Sequence, residues 1–418
     1  MISVGIEAMN VFGGGACVDV KELAVHRGLD SARFDNLLMK EKTVALPDED
    51  PVTFGVNAAR PLLEGLSEGE RGRIEMVIAC TESAFDFGKS LSTYLHDYLS
   101  LSRNCRLFEL KQACYAGTAG LQMAVNFVLS QTSPGGKVLV VATDVSRFAA
   151  AGEGGGEDWA FVEPSSGAGA VAMLVGESPE VFQIDAGASG YYGYEVMDTC
   201  RPLPEGGAGD ADLSLLSYLD CCEHTFLEYQ KRVEGADYRE TFGYLAYHTP
   251  FGGMVKGAHR NMMRKLAKAG PEEIEEDFVR RVAPGLHYCQ RVGNIMGATA
   301  ALALASTIDR ADLEAPQRIG CFSYGSGCCA EFYSGVATSE GQRRQRRFGI
   351  EAQLEGRHRL SVEEYEQVLA RSGAVKFGVR NVRLEHGLVP AVSASRAPFG
   401  RLVLDEIEEF HRKYIWQS

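Results

Sequence analysis

Three residues in this 418-residue chain, Cys114, Glu82 and His248, sit in settings that fit covalent chemistry. Cys114 lies in Glu-Leu-Lys-Gln-Ala-Cys114-Tyr-Ala-Gly-Thr. There an apolar, strand-like run over 107–110 gives way to a helix with Leu121, Ala124, Val125, Val128 and Leu129 at helical spacing. A sulfur at that junction is expected to face the positive end of the helix macrodipole and the unpaired amides of the first turn, which lowers a thiol's pKa and makes it a nucleophile. Ala113, Ala116, Gly117, Thr118, Ala119 and Gly120 leave room beside it for an extended acyl substrate. The same small residues suit tight packing, and an isolated buried cysteine also serves as a core filler. Glu82 follows the apolar strand 74–79 in Ala-Cys-Thr-Glu82-Ser. A carboxylate at the carboxyl end of a buried strand stands where α/β folds hold ligands, and partial burial raises its pKa towards that of a general base. Capping the next helix is its other possible role. His248 ends the short strand 244–247 and is held by Thr-Pro-Phe-Gly-Gly, positioned to donate to a carbonyl oxygen or to fill a structural role.

The elements that must carry these residues alternate. In the first half, strands are expected at 4–11, 74–79, 107–110, 137–145 (ending near Asp144) and 171–175, and helices at 19–39, broken at Gly28, and at 52–66. Gly13-Gly14-Gly15 lacks dinucleotide-site spacing and reads as a turn, and 152–158 as a surface loop. From about Val181 the pattern restarts: a loop at 198–212, a helix at 213–232 with Cys221-Cys222 on its buried side, a basic helix at 254–269, and a small-residue helix at 298–306. Strand 318–322 is expected to end in the turn Ser-Tyr324-Gly325-Ser326-Gly, ahead of a strand at 328–332. A helix at 360–371 starts on a Ser361 capping box, and the tail 402–414 reads as a strand fading into a charged segment. Both halves are thus α/β, and the chain reads as a duplicated module, 1–180 and 181–418, with its site between the halves. Neither half is an obvious sequence repeat of the other.

Composition narrows the function classes. A net charge of −14 argues against nucleic acid or an anionic membrane as the main partner. The apolar windows are too short to span a bilayer and the first residues do not read as an export signal, so a cytoplasmic protein is expected. Eleven cysteines without paired zinc-ligand spacing, and nine histidines without an HxxxH arrangement, give no support to a metal site. Arg33 and the helix bearing Lys256, Arg260 and Arg264 form a basic group that could dock an acidic partner or a phosphate, or be an ordinary solvated face.

Taken together, Gln-Ala-Cys114-Tyr-Ala-Gly-Thr, Ala-Cys-Thr-Glu82-Ser, His248-Thr-Pro-Phe-Gly-Gly-Met-Val-Lys-Gly-Ala-His-Arg, Val-Gly-Asn294 and Ser-Tyr324-Gly325-Ser326-Gly resemble the hydroxymethylglutaryl-CoA synthase family of the thiolase superfamily. Asn36-Leu-Leu-Met-Lys-Glu-Lys-Thr-Val, Met197-Asp-Thr-Cys-Arg-Pro and Asp212-Leu-Ser-Leu-Leu-Ser-Tyr-Leu-Asp resemble most the subgroup that installs β-branches in polyketide pathways. The resemblance implies a five-layered αβαβα thiolase fold and a homodimer. It implies Cys114 as nucleophile, Glu82 as acid/base and His248 as the residue positioning the acceptor, with Asn294, Tyr324, Gly325 and Ser326 contacting substrate. No bound cofactor is implied; substrates are carried on the phosphopantetheine of donor and acceptor acyl carrier proteins, with docking expected at Arg33, Lys256, Arg260 and Arg264. The alternative is a primary-metabolism enzyme that uses acetyl-CoA and acetoacetyl-CoA. The chain departs from the family pattern at Phe-Gly-Gly, where Phe-Pro-Gly is expected.

Overall fold

A computed structural model describes residues 2–30, 34–147, 162–203, 206–394 and 400–417. Nine strands form its main sheet: β1 (Gly5–Phe12), β2 (Ile74–Cys80), β3 (Arg106–Leu110), β4 (Lys137–Val145), β5 (Ala168–Gly176), β6 (Phe182–Gly193), β7 (Tyr244–Tyr247), β8 (Gln317–Gly325) and β9 (Cys329–Ala337). Their spatial order is β7-β8-β9-β6-β1-β5-β4-β2-β3. The seam between β1 and β6 is only Gly5↔Gln183 and Ile6↔Phe182, so the sheet is two half-sheets joined at one corner.

Each half-sheet follows the same rule. In the first, β1 runs antiparallel to β5, β5 antiparallel to β4, and β4 parallel to β2. In the second, β6 runs antiparallel to β9, β9 antiparallel to β8, and β8 parallel to β7. The strands therefore correspond as β1 to β6, β5 to β9, β4 to β8 and β2 to β7. Because strand side chains alternate, each half-sheet is apolar on both faces. In β5, Val171, Met173 and Val175 point to one core while Ala170, Ala172 and Leu174 point to another.

Helices fill those faces. The helices α1 (Pro51–Glu64), α2 (Ala116–Ser130), α3 (Ala211–Arg232), α4 (Gly252–Leu266) and α5 (Thr299–Arg310) set the layering. Leu121, Ala124, Val125 and Val128 of α2 share the central core with Leu302, Ala303, Ala305 and Ile308 of α5. Val52, Phe54 and Val56 of α1 cover the far face of the first half-sheet. Tyr218, Cys221, Cys222, Phe226 and Tyr229 of α3, with Val255 and Met262 of α4, cover that of the second. The result is five layers, αβαβα. The start of α2 meets the turn before α5 where a Cβ on Gly117 would stand 2.1 Å from the Gly297 carbonyl oxygen, a contact that only a glycine permits.

Several expected elements differ. The segment 198–212 is not a plain loop but carries a small hairpin, Thr199–Leu203 with Gly206–Gly209. Ser323, Tyr324 and Gly325 belong to β8, paired as far as Gly325↔Cys329, which moves the turn to 326–328. The tail forms an antiparallel hairpin, Arg401–Glu408 with His411–Gln417, whose Leu402, Leu404 and Tyr414 sit in the outer core beside α1. Within the stretch 19–39 a short helix, Val20–His26, starts on its Asp19 cap and ends as the chain turns at 27–28. Among the described residues no helix is long and apolar enough to cross a membrane.

Candidate active site

The site forms where the ends of β2, β4, β7 and β8 meet the starts of α2 and α5. Asp144, near the end of β4, is its buried hub. One carboxylate oxygen accepts from the Thr81 hydroxyl (2.9 Å), the Glu82 amide (2.9 Å) and the Ser83 hydroxyl (2.8 Å). The other accepts from the Gly297 amide at 3.1 Å, tying the loop after β2 to the turn before α5. Burial, and then the neighbouring Asp144, push the Glu82 carboxyl up to about 7, against the pull of the Arg201 guanidinium. Burial also raises Asp144, against the hydrogen bonds from Ser83, Glu82 and Thr81, so the two neighbouring carboxyls titrate as a linked pair.

Cys114 is half-buried in the loop between β3 and α2. Ala113 takes a left-handed conformation (φ 44°), turning the chain so that the Tyr115 amide donates to the Gln112 carbonyl (3.1 Å) and the Ala116 amide to that of Ala113 (3.2 Å). These two helix-start amides are therefore spent within the turn. The expectation of a lowered thiol pKa is reversed: burial, followed by Glu82 and Asp144, pushes the Cys114 thiol well above the usual range, with Arg201 opposing. Desolvation of a thiolate, added to the repulsion of nearby carboxyls, acts against the fractional positive charge at a helix start. The Tyr115 hydroxyl donates to Glu331 on β9 (2.7 Å), which also accepts from Gln122 of α2 (2.7 Å), so the Cys114 loop is pinned to the second half. Gly325 completes that contact: a Cβ there would lie 2.5 Å from the Gln112 carbonyl oxygen and 2.6 Å from the Tyr115 nitrogen.

His248 leaves β7 with its amide donating to the Phe322 carbonyl (2.7 Å) and its own carbonyl accepting from the Tyr218 hydroxyl (2.6 Å). Since β7 pairs in parallel with β8 at Tyr247↔Phe322, His248 stands one strand from Gly325. The residue is 1% exposed, and its buried Nδ1 has no hydrogen-bond partner. Burial lowers the imidazole pKa to about 3, so the ring is neutral near pH 7. A buried polar atom of this kind ordinarily has a partner, so Nδ1 is open to one.

The remaining expected residues fall in different places. The Asn294 side-chain oxygen accepts from the Met296 amide (3.0 Å) and the Thr299 hydroxyl (2.9 Å), which leaves its amide nitrogen to donate. The Tyr324 hydroxyl is turned onto Asp198 (2.5 Å), and Ser326 sits in the β8–β9 turn. The basic helix is not the continuous strip that the sequence suggests. Lys256 is paired with Glu275 (2.8 Å), Lys265 with Glu223, and His259 is buried against Asp277, while Arg260 and Arg264 are exposed on the outer layer. Arg33 and the loop 152–158 lie outside the described residues. Three further residues face Cys114: Asp144, Asp198 and Arg201. Asp144 carried the same strand-end signal as Glu82. The other two fold back from a hairpin that no local pattern announces.

Five layers in a doubled arrangement, with a cysteine at the start of a central helix facing a carboxyl from a strand end, define a thiolase-like enzyme that forms carbon–carbon bonds by acyl transfer. Residues 2–180 match the hydroxymethylglutaryl-coenzyme A synthase N-terminal family and residues 260–415 its C-terminal family. The chain is 69% identical, over 100% of both chains, to the polyketide biosynthesis 3-hydroxy-3-methylglutaryl-ACP synthase PksG of Bacillus subtilis. It is 32% identical to the hydroxymethylglutaryl-CoA synthase of Enterococcus faecalis, over 89% of this chain and 92% of that one. The HMG synthase of the curacin biosynthetic pathway, solved in complex with apo donor-ACP, superposes with a TM-score of 0.95 at 64% identity, covering 99% of this chain and 100% of that one. The chain belongs to the hydroxymethylglutaryl-CoA synthase family.

Proposed function

We propose that the chain is a polyketide β-branching HMG synthase, acting on an acetyl group from a donor acyl carrier protein and a β-ketoacyl chain on an acceptor carrier protein. The observation that carries this reading is the contrast in identity: 69% end to end with a synthase named for a carrier-protein product, against 32% with the coenzyme A enzyme. Both acyl groups then arrive on phosphopantetheine arms.

The chemistry follows from the site. The Cys114 thiol gives its proton to the Glu82 carboxylate as sulfur attacks the acetyl thioester carbonyl. The C–S bond to the carrier breaks, and the departing thiolate takes that proton. A carboxyl near 7 is then free to accept an α-proton from acetyl-Cys114, leaving an enolate. The enolate carbon attacks the β-ketone of the acceptor. Its oxygen is polarised by the neutral His248 ring and by the amide of Asn294, and the new alkoxide is protonated by Glu82. Water then attacks the thioester to Cys114, the C–S bond breaks, and the sulfur regains its proton as the carboxymethyl branch is freed. An imidazole with pKa about 3 cannot serve as the acid here, which supports a donor role for His248 and a shuttling role for Glu82.

The enzyme is proposed to be a cytoplasmic homodimer, its halves meeting near residue 180. The edge strand β3, with Leu107, Phe108 and Leu110 only half-buried, supports a partner copy extending the sheet. Intact-protein mass spectrometry after incubation with acetyl-loaded carrier protein tests the reading. An acetyl adduct on the wild type, its absence in Cys114→Ala, and faster loading from the carrier than from acetyl-CoA are expected. Equal or faster loading from acetyl-CoA favours the primary-metabolism enzyme, and no adduct on the wild type sinks both.

A further inference from the structure

Arg201 is carried on the first strand of the 199–209 hairpin, a second-half element, yet its side chain ends on a first-half residue. Its Nη1 donates to the Glu82 carbonyl at 3.1 Å, and its Nη2 stands 3.7 Å from the Glu82 carboxylate. Among the described residues that guanidinium is the one partner of the Glu82 carboxylate. The hairpin's root is sewn to the opposite turn: Asp198 accepts from the Tyr324 hydroxyl (2.5 Å) and the Gly327 amide (2.9 Å), and its carbonyl accepts from the Asp210 amide (2.8 Å). Val196 and Cys328 add backbone bonds to Gly327 and Tyr194. The arm that presents Arg201 is thus fixed at its base and grips Glu82 at its tip.

The charges around this contact are uneven. Glu82 from the loop after β2, Asp144 from β4 and Asp198 from the hairpin root all face Cys114, and Arg201 is the cation among the largest charges felt there. Enolate formation, and the oxyanion of each acyl-transfer step, shift the negative charge of Glu82 onto the substrate in a pocket that also holds Asp144 and Asp198. A bidentate ion pair would lock Glu82 as a carboxylate, whereas a separation of 3.7 Å exceeds hydrogen-bond length and leaves it free to gain and lose a proton.

We propose that Arg201 is a positioning residue that aims the Glu82 carboxyl at the acetyl-Cys114 α-carbon and balances the site's charge in the anionic steps, reaching across from the other half on an anchored hairpin. This rests on the reading of Cys114 as nucleophile and Glu82 as base. Arg201 also lowers the Glu82 pKa, so removing its charge raises that pKa and moves the rising limb of the proton-abstraction profile to higher pH.

The test measures exchange of the acetyl-enzyme's α-hydrogens into deuterated solvent, by mass, across pH. It compares full-length wild type, Arg201→Met and Arg201→Lys loaded from acetyl-carrier protein. The Met variant is expected to exchange at least about tenfold more slowly near neutrality, with its limb displaced upward by about one unit or more. The Lys variant restores the limb but not the full rate, because a point charge lacks the fork that holds the carbonyl. An unmoved limb in the Met variant, whatever its rate, overturns the inference and leaves Arg201 a hairpin prop. If the Met variant does not fold, a Lys variant whose limb is displaced as far upward as loss of the charge predicts overturns it instead. Loading of the wild type separates the two failures: a wild type that takes no acetyl group sinks the functional reading and this inference together.

Discussion

The two halves place their site residues at matching points of the repeat and surround them in opposite ways. Glu82 follows β2 and His248 follows β7, strands that occupy the same position in their half-sheets. Around Glu82 the structure gathers Asp144, Thr81, Ser83 and Arg201, and burial, followed by Asp144 and opposed by Arg201, holds its carboxyl at about 7. Around His248 it gathers Tyr218, Phe322 and Tyr247, and the ring is buried, neutral and unpaired at Nδ1. On the proposed mechanism, one copy of the motif moves protons and the other holds an oxygen still, so a titrating residue is paired with one that stays neutral.

That contrast breaks most directly at Glu82. Glu82→Gln is expected to cut condensation by about 10²–10⁴-fold, measured as single-turnover product formation from preloaded acetyl-enzyme. Survival of most of the activity would mean the charged half does not supply the base. His248→Leu is expected to leave acetylation of Cys114 intact while lowering acceptor addition by about 10²–10³-fold, the cost of one preorganised donor. The same variant sharpens the comparison through stability. A histidine whose folded pKa is depressed contributes stability that is present above pH 6.5 and lost as pH falls towards about 3. The variant's thermal midpoint should therefore fall less between those pH values than that of the wild type. Asp144→Asn should move the acidic limb of proton abstraction to lower pH by about one unit, because a like charge beside Glu82 is gone. It should also cost about 1–3 kcal/mol in denaturant unfolding, since a side-chain amide must then face the backbone N–H of Gly297 or Glu82. Charge reversal at Arg260 and Arg264, far from both neighbourhoods, has the smallest expected effect: a few-fold rise in KM for carrier protein with kcat unchanged. A loss confined to kcat would place the outer layer in the chemistry and dissolve the contrast.

Much of this architecture was legible in the residues. Apolar runs of strand length at 74–79 and 137–145 and the helical spacing after Cys114 gave the βαβ alternation, because burial on both faces leaves an unmistakable pattern. The hairpin at 199–209 was not legible: its glycines and prolines read as loop, and its register depends on Asp198 meeting Tyr324 more than a hundred residues on. The C-terminal hairpin was missed for a similar reason, since its charged outer positions mask the alternation that buries Leu402, Leu404 and Tyr414. The state of Cys114 was misjudged because a helix start is a local feature, whereas the burial that chiefly raises its pKa, and the carboxyls that add to it, come from tertiary packing of three separate segments.

The glycine contact between the start of α2 and the turn before α5 has a bearing on how Cys114 is held. Gly117 is pressed against the Gly297 backbone, and Asp144 and Glu331 are bonded across the same seam. Any side chain at 117 would have to part the segments that carry Cys114 and Asp144, so the spacing between the sulfur and its neighbouring carboxyls is guarded by a residue with no functional group of its own.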